Sequence, residues 1–440
     1  MSQSYHTIII GGGAAGLMCA ATLLEREDFT GRIAIIDRNP HLWAKVIISG
    51  WGRCNVTTWY TSVKDVLAKY PRGSAFLSPI LKAFTSKSIY RWFEEHGVPL
   101  KVEKDMRVFP VSDDGHDVVW AFEQLFHTQH ERIDVLLRTK VESVNKAVCS
   151  DGSCSGRLQV ITDKSWILTC ANVVIATGGQ AYRHTGSSGD GYAFAQGLWH
   201  TITDLWPSLN SFESSNTAMH ELSWLTFADA QIQVVSTHKR YTGAVLLTHF
   251  GISWPLAFVV SAHTAFETID ADRSLSLRLR PHADHAYNYR YDWLTQQAHT
   301  QPHKQLSTIL KQEFSQAFVD YLLADKIQIP PKPTTASGPP PLSGRMQEMQ
   351  ISQITKTQKS TIADLLGHWI PLSIVKRRPG DEFVTAGWVN LSEVSSSDCQ
   401  SIITPWLYLA WEVLDIDWYT WWYNLTSSWA TGRRVGMKII

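Results

Sequence analysis

The stretch Thr7-Ile8-Ile9-Ile10-Gly11-Gly12-Gly13-Ala14-Ala15-Gly16 decides the fold, because its character changes twice within ten residues. Thr7–Ile10 is a short apolar run of β-branched residues, as in the buried centre of a parallel sheet. Three glycines follow and then a helical pattern over 14–26, with Leu17, Ala20, Leu23 and Leu24 on one face. A second apolar strand, 32–36, ends at Asp37. Strand, glycine turn, helix and strand make a βαβ unit. The glycines differ in what they permit. Gly11 makes the tight turn, Gly13 lets a pyrophosphate approach the backbone, and Gly16 lets helix and strand pack closely. The helix N-terminus, at Ala14 and Ala15, offers N–H groups and partial positive charge to phosphates. Asp37, about 20 residues beyond the glycines, is placed to accept hydrogen bonds from a ribose.

Outward from this unit, residues 80–96 read as an amphipathic helix ending at Gly97, and 117–126 as another. Segments 157–162 and 166–170 read as a hairpin, and 172–176 as a buried strand running into Thr177-Gly178-Gly179. A Gly/Ser loop spans 184–191. From about residue 203 the texture changes to alternating strands (231–235, 244–247) and a helical block within about 285–330. A linker with six prolines follows over 330–341. Strand–loop–helix character returns near Phe383. The expected class is α/β, with a discontinuous Rossmann-type domain over 1–200 and 375–440 and a β-barrel-like plus helical insert over 201–374.

The bulk composition excludes several classes. Forty basic and 40 acidic residues cancel, so no basic excess favours a nucleic acid. Glu412, Asp415 and Asp417 interrupt the aromatic C-terminal stretch, which therefore does not read as a membrane span. The leading apolar run is too short for a secretory signal, and a cytoplasmic location is expected. None of the six cysteines forms a CxxC pair or a zinc spacing, Cys149 and Cys154 included, so no metal is expected.

Three further stretches bear on chemistry. Ser49-Gly50-Trp51-Gly52-Arg53-Cys54-Asn55 combines a glycine turn, a cation and an amide; it suits a phosphate or a heteroaromatic ring edge, and equally a surface loop. Ala176-Thr177-Gly178-Gly179 ends a strand, where ligands of open α/β sheets lie. Leu407–Asn424, LYLAWEVLDIDWYTWWYN, carries Glu412 and Asp415 and leads into a helix at Asn424 and Leu425. His249 is the one histidine that stands out as an acid–base candidate, with Arg53 as a second candidate, and a structural role for either stays open.

Taken together, IIIGGGAAGL, KVIISGWGRCNVT, RVFPVSDD, ATGGQAYRHTGSSGDGYAFAQ, LLTHFGIS and YLAWEVLDID resemble the aminoacetone-oxidase-like, BaiN-type NAD(P)/FAD-dependent oxidoreductases over nearly the whole chain. The resemblance implies an FAD domain interrupted by a barrel-like and helical insert. It implies an oxidoreductase that oxidises a small amino ketone or amine, or reduces an enone, with a small-molecule substrate. The expected cofactor is FAD, on Gly11, Gly13, Ala14, Ala15, Gly16, Asp37, Arg38, Lys45, Ser49, Gly52, Arg53, Cys54, Asn55, Val141, Ala176, Thr177, Gly178, Gly179, Glu412, Asp415, Asn424 and Leu425. NAD(P)H is the candidate reductant, although no second GxGxxG provides a dedicated site for it. A flavin-binding protein without turnover, and a nicotinamide-only dehydrogenase, are the alternatives. Residues 177–179 and Glu412 weigh against the latter, because they imply a ligand spanning both halves of the sheet.

One departure is systematic. Where the family pattern has glycine, this chain has Trp43, Trp51, Trp199, Trp254, Trp388, Trp406, Trp411, Trp418, Trp421 and Trp422. Glycine tolerates positive φ and close backbone approach; tryptophan tolerates neither. The chain holds 19 tryptophans against 16 phenylalanines and 14 tyrosines, and setting these ten aside restores an ordinary order. The pattern is expected if UGA encodes glycine in this gene and has been rendered as tryptophan. The competing reading is a tryptophan-laden protein with a damaged flavin site. As written, Trp51, Trp411, Trp421 and Trp422 are expected to plug the flavin end.

Overall fold

The computed structural model describes residues 2–147, 157–270, 272–284, 287–323, 349–367, 369–378, 380, 382–419 and 424–440. The chain divides into two compact units, 1–209 with 382–440, and 210–381. The cuts fall after Leu209 and Asp381 rather than after residues 200 and 374. The proline-rich segment, Cys149, Cys154, Trp421 and Trp422 lie outside the described residues.

The first unit is built on a seven-stranded sheet. Strand β1 (Ser2–Ile10) lies at its centre, parallel to β2 (Ile33–Ile36) on one side and to the Ile167–Ile175 strand on the other. Helix α1 (Ala14–Glu25) crosses between β1 and β2. Ile8 and Ile9 are wholly buried, each contributing about 1.5–3 kcal/mol by removal from water. The strand begins before Thr7: Ser2–Ser4 continue the ladder against Ile167–Thr169 at the solvated end of the sheet.

The hairpin arm and the buried strand expected at 166–170 and 172–176 are one strand. Its first half pairs antiparallel with Leu158–Thr162, and its second half pairs parallel with Leu407–Leu409. Alternating burial gives way to continuous burial along it, because the C-terminal half lies inside the sheet. The helix expected over 80–96 is two, Ser74–Ala83 and Ser86–Glu95. The chain breaks at Phe84, and the Thr85 hydroxyl accepts the Ser88 N–H at 3.1 Å, capping the second helix.

In the second unit six strands close a barrel, in the order Phe212–Ser214, Gly251–Ser253, Arg240–Thr248, Thr226–Val234, Leu275–Arg280, Ile370–Arg377. Alternation along these strands sends Ile232, Val245, Leu277 and Ile374 into a core that helices Tyr287–Thr300, Leu306–Leu310 and Lys356–Gly367 also supply. No helix among the described residues is long and apolar enough to cross a membrane.

Candidate functional site

The carboxyl ends of β1, β2, Ile167–Ile175 and Leu407–Leu409 open into one cleft within the first unit. It encloses about 1220 Å³ outside atoms, counting space open to solvent.

One end is the glycine turn. Gly11 has φ +105°, and a Cβ there would lie 2.5 Å from the Ala176 carbonyl oxygen. A Cβ on Gly16 would lie 2.0 Å from the Gly11 carbonyl oxygen, so Gly16 packs the turn from behind rather than lining the cleft. Gly13 faces open space and is the N-cap of α1, with no side chain capping it and no acid in the first turn. Free N–H groups of that turn therefore meet the cleft. The Asp37 carboxylate accepts the Gly12 and Asn39 N–H groups, each at 2.8 Å. Burial pushes its pKa up, and those two hydrogen bonds oppose the shift. Arg38 pairs with Asp190 and donates to the Ser188 hydroxyl at 2.8 Å, closing this end from the Gly/Ser loop. Gly16→Ala is expected to force the Gly11 turn apart and weaken ADP binding about tenfold, roughly 1.4 kcal/mol. Calorimetric titration with ADP checks this, and an unchanged affinity would show that the close approach is dispensable.

The far end joins residues distant in sequence. Lys45 Nζ lies 2.5 Å from Glu412 Oε2, and the same oxygen accepts the Gly179 N–H at 2.9 Å. The pair fixes the turn after Ile175, where Gly178 has φ +73°. Asn424 begins the helix Asn424–Lys438. Its Oδ1 accepts the Trp418 N–H at 3.1 Å, while its buried Nδ2 finds no partner among the described residues. Ser49, Val141, Ala176, Thr177 and Leu425 also line the cleft.

Several expected residues stand elsewhere. Arg53 forms ion pairs with Glu103 and Asp113 and stacks over Phe109 at 3.9 Å. Asn55 Oδ1 accepts the Val108 N–H at 3.1 Å, and the Gly52 carbonyl accepts the Gly115 N–H at 2.8 Å. Cys54 is wholly buried, its thiol pushed up to about 12 by burial. That loop is thus held by neighbouring strands and helices, and of the expected residues in the segment only Ser49 reaches the cleft. Gly179 sits behind it, donating to Glu412, and Asp415 pairs with Arg72 at 3.6 Å. His249 is exposed in the turn after Thr248 in the second unit, its ring edge against Phe250. Thr139, Phe383 and Ser428 line the cleft outside every quoted motif, and Tyr182 lines it from within the 176–196 stretch without having been expected there.

The ADP half of FAD fits these residues: an uncapped helix start, an open Gly13 and a carboxylate at the end of β2. The flavin half is different. Asn424 supplies an unused donor, but Trp411, next to Glu412, lines the cleft and is 9% exposed, while Trp43, whose N–H bonds the Gly12 carbonyl at 2.8 Å, lines it beside the glycine turn. As written, the Trp411 indole takes up lining at the end where the ring of FAD would lie. Trp51 is 84% exposed and does not line the cleft, contrary to the expectation that it would plug it.

The chain resembles known proteins along its whole length. It is 24% identical over 444 residues to the ribosomal RNA dihydrouridine synthase of Haemophilus influenzae, covering 100% of this chain and 99% of the relative. It is 24% identical over 439 residues to the 3-dehydro-bile acid delta(4,6)-reductase of Clostridium scindens, covering 97% of each. Among solved structures, Mycobacterium smegmatis Sdh1 in complex with UQ1 superposes with a TM-score of 0.44 at 14% identity, covering 100% of this chain and 68% of that one. The architecture is that of the Rossmann-type FAD-binding oxidoreductases, and residues 5–438 match one family along their length. The chain belongs to the HI0933-like protein Rossmann domain family.

Proposed function

We propose that the protein is an FAD-dependent reductase of carbon–carbon double bonds conjugated to a carbonyl. The observation that carries the reading is the single cleft from Asp37 to Glu412 and Asn424, which spans the sheet as an extended dinucleotide does. The substrate class is supported by the two relatives. A dihydrouridine synthase and a delta(4,6)-reductase share one bond change, saturation of a ring double bond. FAD, when bound, supplies two-electron carrier chemistry, and the protein supplies binding and orientation. In this chain the α1 N-terminus and Asp37 hold the adenosine end. Lys45 and Glu412 hold the 178–179 turn in place. NAD(P)H is the proposed electron source.

Protein from its native source, reduced anaerobically with NADPH or by light, tests the reading. Its flavin absorbance should be restored by a 4-ene-3-ketone or by uridine, with one saturated product per flavin reoxidised. Bleaching of the oxidised flavin by a small amine would instead support the oxidase reading. Reoxidation by neither acceptor, together with no bleaching of the oxidised flavin by an amine, would reject both.

A further inference from the structure

Among the described residues, 16 non-glycine residues have positive φ, and seven of them are tryptophan: Trp43, Trp51, Trp199, Trp224, Trp254, Trp406 and Trp411. Tryptophan is only 19 of 440 residues. A bulky side chain in this region is an outlier, because its Cβ crowds the neighbouring carbonyl. Seven outliers of one residue type are not explained by local strain, which would not select for indoles.

The chain supplies its own comparisons. Helix Ser86–Glu95 ends in a pair of hydrogen bonds, Gly97 N–H to Glu94 O at 3.1 Å and Val98 N–H to Phe93 O at 2.9 Å. Helix Asp190–Gly197 ends in the same pair, Trp199 N–H to Gln196 O and His200 N–H to Ala195 O, each at 3.0 Å. The left-handed residue is Gly97 in one, φ +81°, and Trp199 in the other, φ 75°. This is the position glycine ordinarily fills. Likewise Gly73 and Gly189 are left-handed N-caps, and Trp43 repeats their geometry with φ 62° and ψ 12°. Trp254, at φ 79° and ψ 179°, occupies a region that is essentially glycine-only. Trp51, Trp199 and Trp224 are 84%, 77% and 81% exposed, so burial does not account for their indoles.

We infer that the native polypeptide carries glycine at positions 43, 51, 199, 224, 254, 406 and 411, and that glycine at 43, beside the glycine turn, and at 411, beside Glu412, widens the cleft for its ligand. A UGA codon read as glycine by the cell produces this pattern. The backbone criterion adds Trp224 to the positions marked by sequence. It does not extend to Trp388 and Trp418, which are buried and lack positive φ, while Trp421 and Trp422 lie outside the described residues. The ligand class would be the flavin dinucleotide of the proposed function, on which the role of positions 43 and 411 rests.

Two measurements test the two halves separately. Peptide mass spectrometry of the native protein should give the glycine mass at all seven positions, with UGA at the matching codons. Tryptophan masses or UGG codons would overturn the assignment. Recombinant chain as written and its seven-site Trp→Gly variant are then titrated with FAD, with the Trp43→Gly/Trp411→Gly pair as a smaller change. Both variants should take up FAD near one per chain and the chain as written far less. Equal uptake by all three would overturn the role of positions 43 and 411, whatever the masses show.

Discussion

Arg72→Met should cost about 3–5 kcal/mol of stability at pH 8 and much less at pH 5. The Asp417 side chain is 1% exposed, and Arg72 is its counter-charge. The Ser208 hydroxyl donates to the same carboxylate oxygen at 2.9 Å, and Asp415 stands 3.6 Å from Arg72. Burial is the largest influence on Asp417 and pushes its pKa up to about 6, although Arg72 and Ser208 pull the other way. Because the folded pKa lies above the unfolded one, this group's stabilising share is full below about pH 4. It is lost as pH rises through about 6. Removing Arg72 leaves a buried charge with one hydroxyl for company and raises the pKa further. At pH 8 the variant must bear that charge or take up a proton against the gradient; at pH 5 the proton is available. Denaturant unfolding at both pH values separates the cases. Adding Asp417→Asn should recover most of the loss at pH 8 and flatten the pH dependence. Equal destabilisation at both pH values would mean that Arg72 acts through packing.

That cluster also shows where sequence reading stops. The βαβ unit is legible because its signals are local: apolar run, glycines, helix period and a terminal Asp37 lie within 31 residues, from Thr7 to Asp37. The adenosine end of the cleft inherits that legibility. Arg53 and Asp415 are different. Each is a charged residue beside motif residues, and each is held by partners that only the fold supplies, Glu103 and Asp113 for the first, Arg72 for the second. A cation near a glycine turn reads as a ligand group when its counter-charges are 50 and 60 positions away. Lys45 and Glu412 each stand in a legible motif, but their pairing across 367 positions is not readable from sequence. The tryptophans divide along the same line. Residue type and family pattern mark ten positions; backbone φ is set by the surrounding chain, and it supports six of them and adds Trp224.

The triple replacement Trp51→Gly/Trp199→Gly/Trp224→Gly should stabilise the chain by about 2 kcal/mol summed over both units. A left-handed non-glycine residue costs roughly 1–2 kcal/mol. Glycine gives back roughly 0.5–1 kcal/mol through the extra freedom of the unfolded chain. The net gain per position is then about 0.5–1 kcal/mol. These three positions isolate that balance. Their indoles are the most exposed of the seven, so little apolar burial is lost on removal, and none of the three lines the cleft. Trp51 sits between Gly50 at φ +61° and Gly52 at φ +87°, so three successive residues turn left-handed and only the middle one bears a side chain. The three-site alanine variant is the control: it removes the indoles and keeps a Cβ at each positive φ. Denaturant unfolding should place the alanine variant near the chain as written and the glycine variant well above both. If alanine stabilises as much as glycine, the exposed indoles rather than the backbone are the source of the cost, and the conformational case for glycine at these positions loses its energetic support.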